Sequence, residues 1–123
     1  MNCEYDIIVA GGGMSGVAAA IAAGRRGKKV LLIEQAAMLG GIGTAGAITF
    51  LLGPAKHFGG IGLEIMDNLV RSGGAKQYKS RGAIPYEVEA MKFALEDAAL
   101  EAKVNILMYS MHLANKRFFA NSE

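Results

Sequence analysis

At 123 residues, 52% hydrophobic and 20% charged, the chain suits one small core-forming domain and excludes a disordered segment. A net charge of +2, with no Lys/Arg stripe interleaved with aromatics, argues against nucleic acid or a membrane surface as partner. The single cysteine, Cys3, leaves no internal disulfide and no CxxC pair, which fits a reducing, cytoplasmic setting.

The first residues, Met1-Asn2-Cys3-Glu4-Tyr5-Asp6, carry no cationic region, and the apolar run after them breaks at Gly11. That pattern predicts a buried strand rather than a signal peptide, and nothing reaches the roughly 20 apolar residues of a membrane span. Glycine is the outlier in composition. The 17 glycines all lie between Gly11 and Gly82 and gather in clusters that punctuate apolar segments. Clustered glycine allows backbone to turn sharply and to approach a ligand.

Tyr5 to Ala10 reads as a short strand of the continuous apolar kind found in parallel sheets. Met14 to Arg26 has helical spacing through Val17, Ala20, Ile21 and Gly24, and Arg25, Arg26, Lys28 and Lys29 complement the dipole at its end. Val30 to Ile33 is a second buried strand, reached by a right-handed crossover and ending in Glu34. Residues 35 to 58 show no clear period. A helix is expected over about 60–72, stopped by Gly73-Gly74, followed by a basic loop from Ala75 to Ile84. Pro85 is expected to open a further helix to about residue 102, with Glu87 and Glu89 in its first turn. Val104 to Tyr109 is a third strand candidate, and Ala114 to Glu123 has neither period.

The chemistry lies in Gly11-Gly12-Gly13-Met14-Ser15-Gly16. Gly11-x-Gly13-x-x-Gly16 suits a tight turn, a close pyrophosphate approach and close helix-on-strand packing, in that order. The helix starting near Met14 offers Met14, Ser15 and Gly16 N–H groups and a positive dipole end to phosphates. Glu34, 18 residues beyond Gly16 and followed by Gln35, is set to accept hydrogen bonds from ribose hydroxyls. A strand before, a helix after, a second strand and an acid at its tip together make a dinucleotide site of the βαβ unit 5–34. The acid disfavours a 2′-phosphate, hence NADP. NAD and FAD remain open on this fingerprint.

The stretch Asp6 to Ala20 resembles the opening of FAD-dependent oxidoreductases of the glutathione-reductase-like class, the flavoproteins with two dinucleotide-binding folds. Its continuation, Lys29 to Glu34 and then Met38-Leu39-Gly40-Gly41-Ile42-Gly43-Thr44-Ala45-Gly46, resembles the FAD-dependent oxidoreductase family in particular. The likeness extends through Gly59-Gly60-Ile61-Gly62 and the helix after Pro85, over most of residues 5 to 112. It implies a Rossmann-like three-layer α/β fold with a partial parallel sheet and FAD as cofactor. Gly40, Gly41 and Thr44 would approach the pyrophosphate, ribitol and flavin ring through backbone amides and a hydroxyl. Flavoproteins of this class are longer, with a later FAD-binding segment and a separate substrate domain. The resemblance therefore implies a single partial domain over 1–123, a truncated or split enzyme inactive alone.

Lys56 and His57 stand where a substrate could approach, but one His without a spaced partner reads as solvated loop. His112 reads as a strand-end residue, Cys3 as an inert thiol, and Lys76, Lys79 and Arg81 as a solvated loop. No metal-ligand spacing occurs. In strand order 3-2-1-4 the free side of the first strand would lie open, so Ile7, Ile8 and Val9 invite a complementing chain or homo-oligomer. Two other readings compete: an NAD-binding Rossmann module of a dehydrogenase, and an inactive remnant or interaction subunit.

Overall fold

The computed structural model describes residues 4–52, 59–76 and 83–111. Strand β1 (Ile7–Ala10) leads into helix α1 (Met14–Arg25) and strand β2 (Val30–Ile33). β1 and β2 pair in parallel from Ile7↔Val30 to Ala10↔Ile33, which completes the βαβ unit. A 3-10 turn (Gly41–Gly43) follows, then β3 (Phe50–Leu52), α2 (Gly60–Arg71), β4 (Ala83–Pro85), α3 (Val88–Glu101) and β5 (Asn105–Leu107). β5 joins the parallel sheet beside β2, with Ile33 opposite Leu107, so the order is β1-β2-β5.

The helices bury one face of this sheet. Val30 and Leu32 of β2 are fully buried against Val17, Ala20 and Ile21 of α1 and Leu95 and Ala99 of α3. α2 adds Ile65, Met66 and Leu69, the stripe at helical spacing, and packs on both α1 and α3. It ends as the glycines dictate: the Gly74 N–H returns to the Leu69 carbonyl at 2.8 Å. Arg25 sits at the solvated end of α1, as its sequence position implies, and there it also makes a tertiary contact. Its guanidinium grips the Glu64 carboxylate of α2 through two N–H donors, each at 2.7 Å.

Three features depart from the sequence reading. The continuous apolar run in β1 predicts burial, yet Ile8 is 59% exposed. β1 lies at the sheet edge, and the face shared by Ile8, Leu31, Ile33 and Leu107 lies away from the buried layer of Val30 and Leu32. The unpatterned connection contains β3, which pairs antiparallel with β4 in the register Phe50↔Pro85, Leu51↔Ile84. Pro85 therefore ends a strand rather than opening a helix, and α3 starts three residues later at Val88. Proline has no N–H to give, which a short two-stranded ribbon tolerates. Cys3, Lys56, His57, Lys79, Arg81, His112 and the stretch 114–123 lie outside the described residues. No helix among the described residues is long and apolar enough to cross a membrane.

Candidate functional site

The site forms where the carboxyl ends of β1 and β2 meet the start of α1. Gly11 turns the chain with φ +104°, a conformation that L side chains rarely adopt, and its N–H donates to the Ile33 carbonyl at 2.8 Å. At Gly16 a Cβ would run into the Gly11 carbonyl oxygen, so α1 packs on the turn only because that atom is missing. Gly13 is different. Its backbone is ordinary extended chain (φ −64°, ψ 174°), and a Cβ there would meet nothing within 4 Å. The protein itself gives no steric reason for glycine at this position.

Gly13 is also the N-cap of α1, with no side-chain cap and no acid in the first helical turn. The first-turn N–H groups of Met14, Ser15 and Gly16 thus keep the positive end of the helix dipole open towards an anion. Ser15 is exposed, and Met14 is half-buried with its side chain turned to the Gly43 backbone.

Glu34 occupies the tip of β2 and is 6% exposed. One carboxylate oxygen accepts the Gly12 N–H at 2.6 Å and the other accepts the Ala36 N–H at 2.7 Å. Two backbone donors leave acceptor capacity on both oxygens, since a carboxylate offers about four lone-pair sites. The carboxylate therefore anchors the glycine turn and can still receive hydroxyl donors. The strand tip is braced from β5: the Glu34 N–H donates to Leu107, and the Ser110 N–H donates to the Glu34 carbonyl at 3.0 Å.

The segment after Glu34 folds back onto the turn. The Gly40 N–H donates to the Gly12 carbonyl at 2.7 Å, and Gly13 and Gly40 form a parallel bridge. Gly40 has φ +107°, and a Cβ would press on Thr44 and Leu95. Gly41 comes so near that a Cβ on it would lie 3.3 Å from the Gly13 Cα. Thr44, expected to offer its hydroxyl to a ligand, is 3% exposed, and that hydroxyl donates to the Leu39 carbonyl. It closes the loop internally.

These elements frame a cleft of about 250 Å³ lined by Ala10, Gly11, Ile33, Glu34, Gln35, Ser110 and Met111. A larger groove of about 540 Å³ lies between α2 and α3, away from the glycine turn. It carries Glu87, Asp97 and Glu101, which would repel a phosphate-bearing cofactor. The chemistry thus points to the smaller cleft.

Of the residues singled out by sequence, Gly11, Glu34 and Gln35 line this cleft, Gly13, Met14, Ser15 and Gly16 lie at the start of α1, and Gly40, Gly41 and Thr44 lie in the loop that folds back onto the glycine turn. Gly12, Ser110, Met111 and Tyr86 were not foreseen. For Gly12 the signal is the unbroken run Gly11-Gly12-Gly13, in which the fingerprint accounts only for the outer two. A Cβ on Gly12 would meet Leu39 at 2.8 Å and Glu34 at 2.9 Å. Nothing local marks the others.

A parallel sheet, a crossover helix and a glycine turn at their junction define a Rossmann-like α/β unit. The sequence matches the model of the FAD dependent oxidoreductase family over residues 6–117. The chain belongs to that family, and FAD is the cofactor that membership assigns. It is 51% identical over 39 residues to the soluble pyridine nucleotide transhydrogenase of Mycobacterium tuberculosis, spanning 8% of that relative's length. Among solved structures it is similar to THI4 of Thermovibrio ammonificans (TM-score 0.59, 23% identity, 85% of this chain and 38% of that one). It is also similar to a geranylgeranyl bacteriochlorophyll reductase-like protein of Thermoplasma acidophilum (TM-score 0.61, 22% identity, 89% and 31%). A 3-ketosteroid-delta4-(5alpha)-dehydrogenase of Rhodococcus jostii gives a TM-score of 0.56 at 20% identity, over 88% and 38%. At these identities the structures establish the Rossmann-like fold.

Proposed function

We propose that this chain holds the ADP half of FAD in a flavin-dependent oxidoreductase. The pyrophosphate rests against Gly11, Gly13 and the first-turn amides of Met14, Ser15 and Gly16. Glu34, with Gln35 beside it, receives the ribose hydroxyls. Gly40 and Gly41 lead towards the flavin, and Thr44 holds their loop closed. When bound, the flavin supplies the hydride chemistry, while the protein supplies position and electrostatics.

The observation that carries this reading is Gly13. It needs neither an unusual backbone angle nor clearance from the protein, so its bare Cα reserves space for a ligand in front of an uncapped helix. The fit extends to charge, because no first-turn acid of α1 opposes an anion there. Purified chain should quench flavin fluorescence on titration with micromolar FAD and retain a visible flavin spectrum. A colourless product that leaves FAD fluorescence unchanged would overturn the reading. Tighter binding of NADH than of FAD would favour the second reading, an NAD-binding module.

The reading assigns cofactor holding to this chain and substrate turnover to protein beyond it, in keeping with the 8% of the transhydrogenase that it spans. The exposed edge strand supports one more element: a complementing chain or a second copy covers β1. The proposed setting is cytoplasmic. Fractionation of cells carrying the tagged chain checks this, and recovery with membranes would overturn it.

A further inference from the structure

We infer that Tyr86 is a positioning residue that sets the shape of the 41–48 loop on the flavin side of the proposed site. What that loop faces rests on the FAD reading; the clamp itself rests on geometry alone.

Tyr86 stands between β4 and α3 and is 6% exposed. Its backbone is tied on two sides: the N–H donates to the Thr49 carbonyl at 3.1 Å, and the residue bridges Ala75. The hydroxyl lies 2.8 Å from the Gly43 carbonyl and 2.8 Å from the Ile48 carbonyl, 43 and 38 residues away in the chain. Those carbonyls belong to the two limbs of a turn that closes on itself, with the Gly46 N–H donating to Gly41 and the Ile48 N–H to Ile42. A phenol has one proton, so the two carbonyls share a single donor and both limbs are drawn to one point. A phenylalanine would leave them facing an apolar ring edge.

The clamp reaches the phosphate end through packing. A Cβ on Gly43 would come within 2.9 Å of the Tyr86 Oη and would collide with the Met14 Cε. Met14 opens α1, so the phenol, the loop and the helix end form one stack. Gly41, in the same loop, lies near enough to Gly13 that a Cβ on it would sit 3.3 Å from the Gly13 Cα. A shift of the loop is therefore felt where a dinucleotide would run from pyrophosphate to flavin. Burial raises the phenol pKa, which keeps the hydroxyl a donor well above neutral pH.

The test compares the wild-type, Tyr86→Phe and Gly43→Ala chains. Hydrogen exchange without ligand reads the loop, and titrations with FAD and with ADP read the site. In Tyr86→Phe the Gly46 and Ile48 amides should exchange roughly tenfold faster, the factor for one lost buried hydrogen bond. FAD should weaken roughly three- to tenfold and ADP, which meets only the phosphate end of the stack, by a smaller factor. Gly43→Ala, which keeps the phenol but displaces both it and the Met14 side chain, should speed exchange at the same two amides. Unchanged exchange at both amides overturns the clamp, and equal losses of FAD and ADP overturn the positioning role. If the wild-type chain takes up no FAD, the FAD reading and the positioning role fall together, and the exchange comparison still decides whether the clamp exists.

Discussion

The Glu34 carboxylate accepts the Gly12 N–H at 2.6 Å across 22 residues, fastening the tip of β2 to the glycine turn after β1. In Glu34→Gln the side-chain amide can accept one of the two N–H donors and turns its own NH₂ towards the other. We expect a loss of about 1–3 kcal/mol from the unpaired buried donor. FAD affinity should fall as well, because one of the two oxygens that would accept the ribose hydroxyls becomes an NH₂ group. Chemical denaturation and an FAD titration read the two effects separately. Unchanged stability would show that the latch contributes nothing.

Gly13→Ala separates a ligand site from a structural one. Its φ of −64° and empty surroundings accommodate a methyl group, so stability should stay within about 0.5 kcal/mol of wild type. FAD affinity should fall roughly tenfold or more, since the methyl occupies the proposed pyrophosphate position. Gly16→Ala should do the reverse, losing the folded state through collision with Gly11. Equal FAD affinity for wild type and Gly13→Ala would remove the observation on which the functional reading rests.

Stability should respond to pH at both ends of the scale. The hydrogen bond from Arg25 holds the Glu64 carboxyl below its ordinary value of 4.5. Its contribution is present above that value and lost as pH falls through the lowered pKa. Both side chains are about 40–45% exposed, so the effect is at most about 0.5 kcal/mol. Burial raises the Tyr86 phenol above its ordinary 10.0. That contribution is present below pH 10.0 and lost as pH rises through the raised pKa, because the unfolded chain ionises first. Thermal melts across the alkaline range should show this limb in wild type and a flatter one in Tyr86→Phe.

Ile8 is 59% exposed on the edge strand, next to Ile7 at 36%. A lysine in place of Ile8 puts a charge on this edge, the device by which natural sheets discourage further pairing. If β1 recruits a second copy, Ile8→Lys should shift the chain towards monomer in sedimentation or size-exclusion measurements. An unchanged mass would remove β1 from the interface.

The βαβ unit and the glycine turn were legible because their causes are local. Gly11 needs its backbone angle and Gly16 its clearance within a few residues, and α1 announces itself through Val17, Ala20 and Ile21 at helical spacing. β3 and β4 escaped notice because three residues are too few to display an alternation, and their partners are 31–35 residues apart. Pro85 misled for a related reason. It suits both a helix start and a strand end, and only pairing with Phe50 chooses between them.

The sequence by itself determined that a strand, a glycine-led helix start and an acid-tipped second strand would form, because each follows from backbone sterics and short-range periodicity. It could nominate Glu34, Gly40 and Thr44, but it could not say what their polar groups would hold. Only the tertiary structure decided that Glu34 latches Gly12, that the Thr44 hydroxyl is taken up by Leu39, and that Tyr86 ties Gly43 to Ile48. Those bonds join residues that only the folded chain brings together. A buried polar group takes whichever partner the packing places within reach.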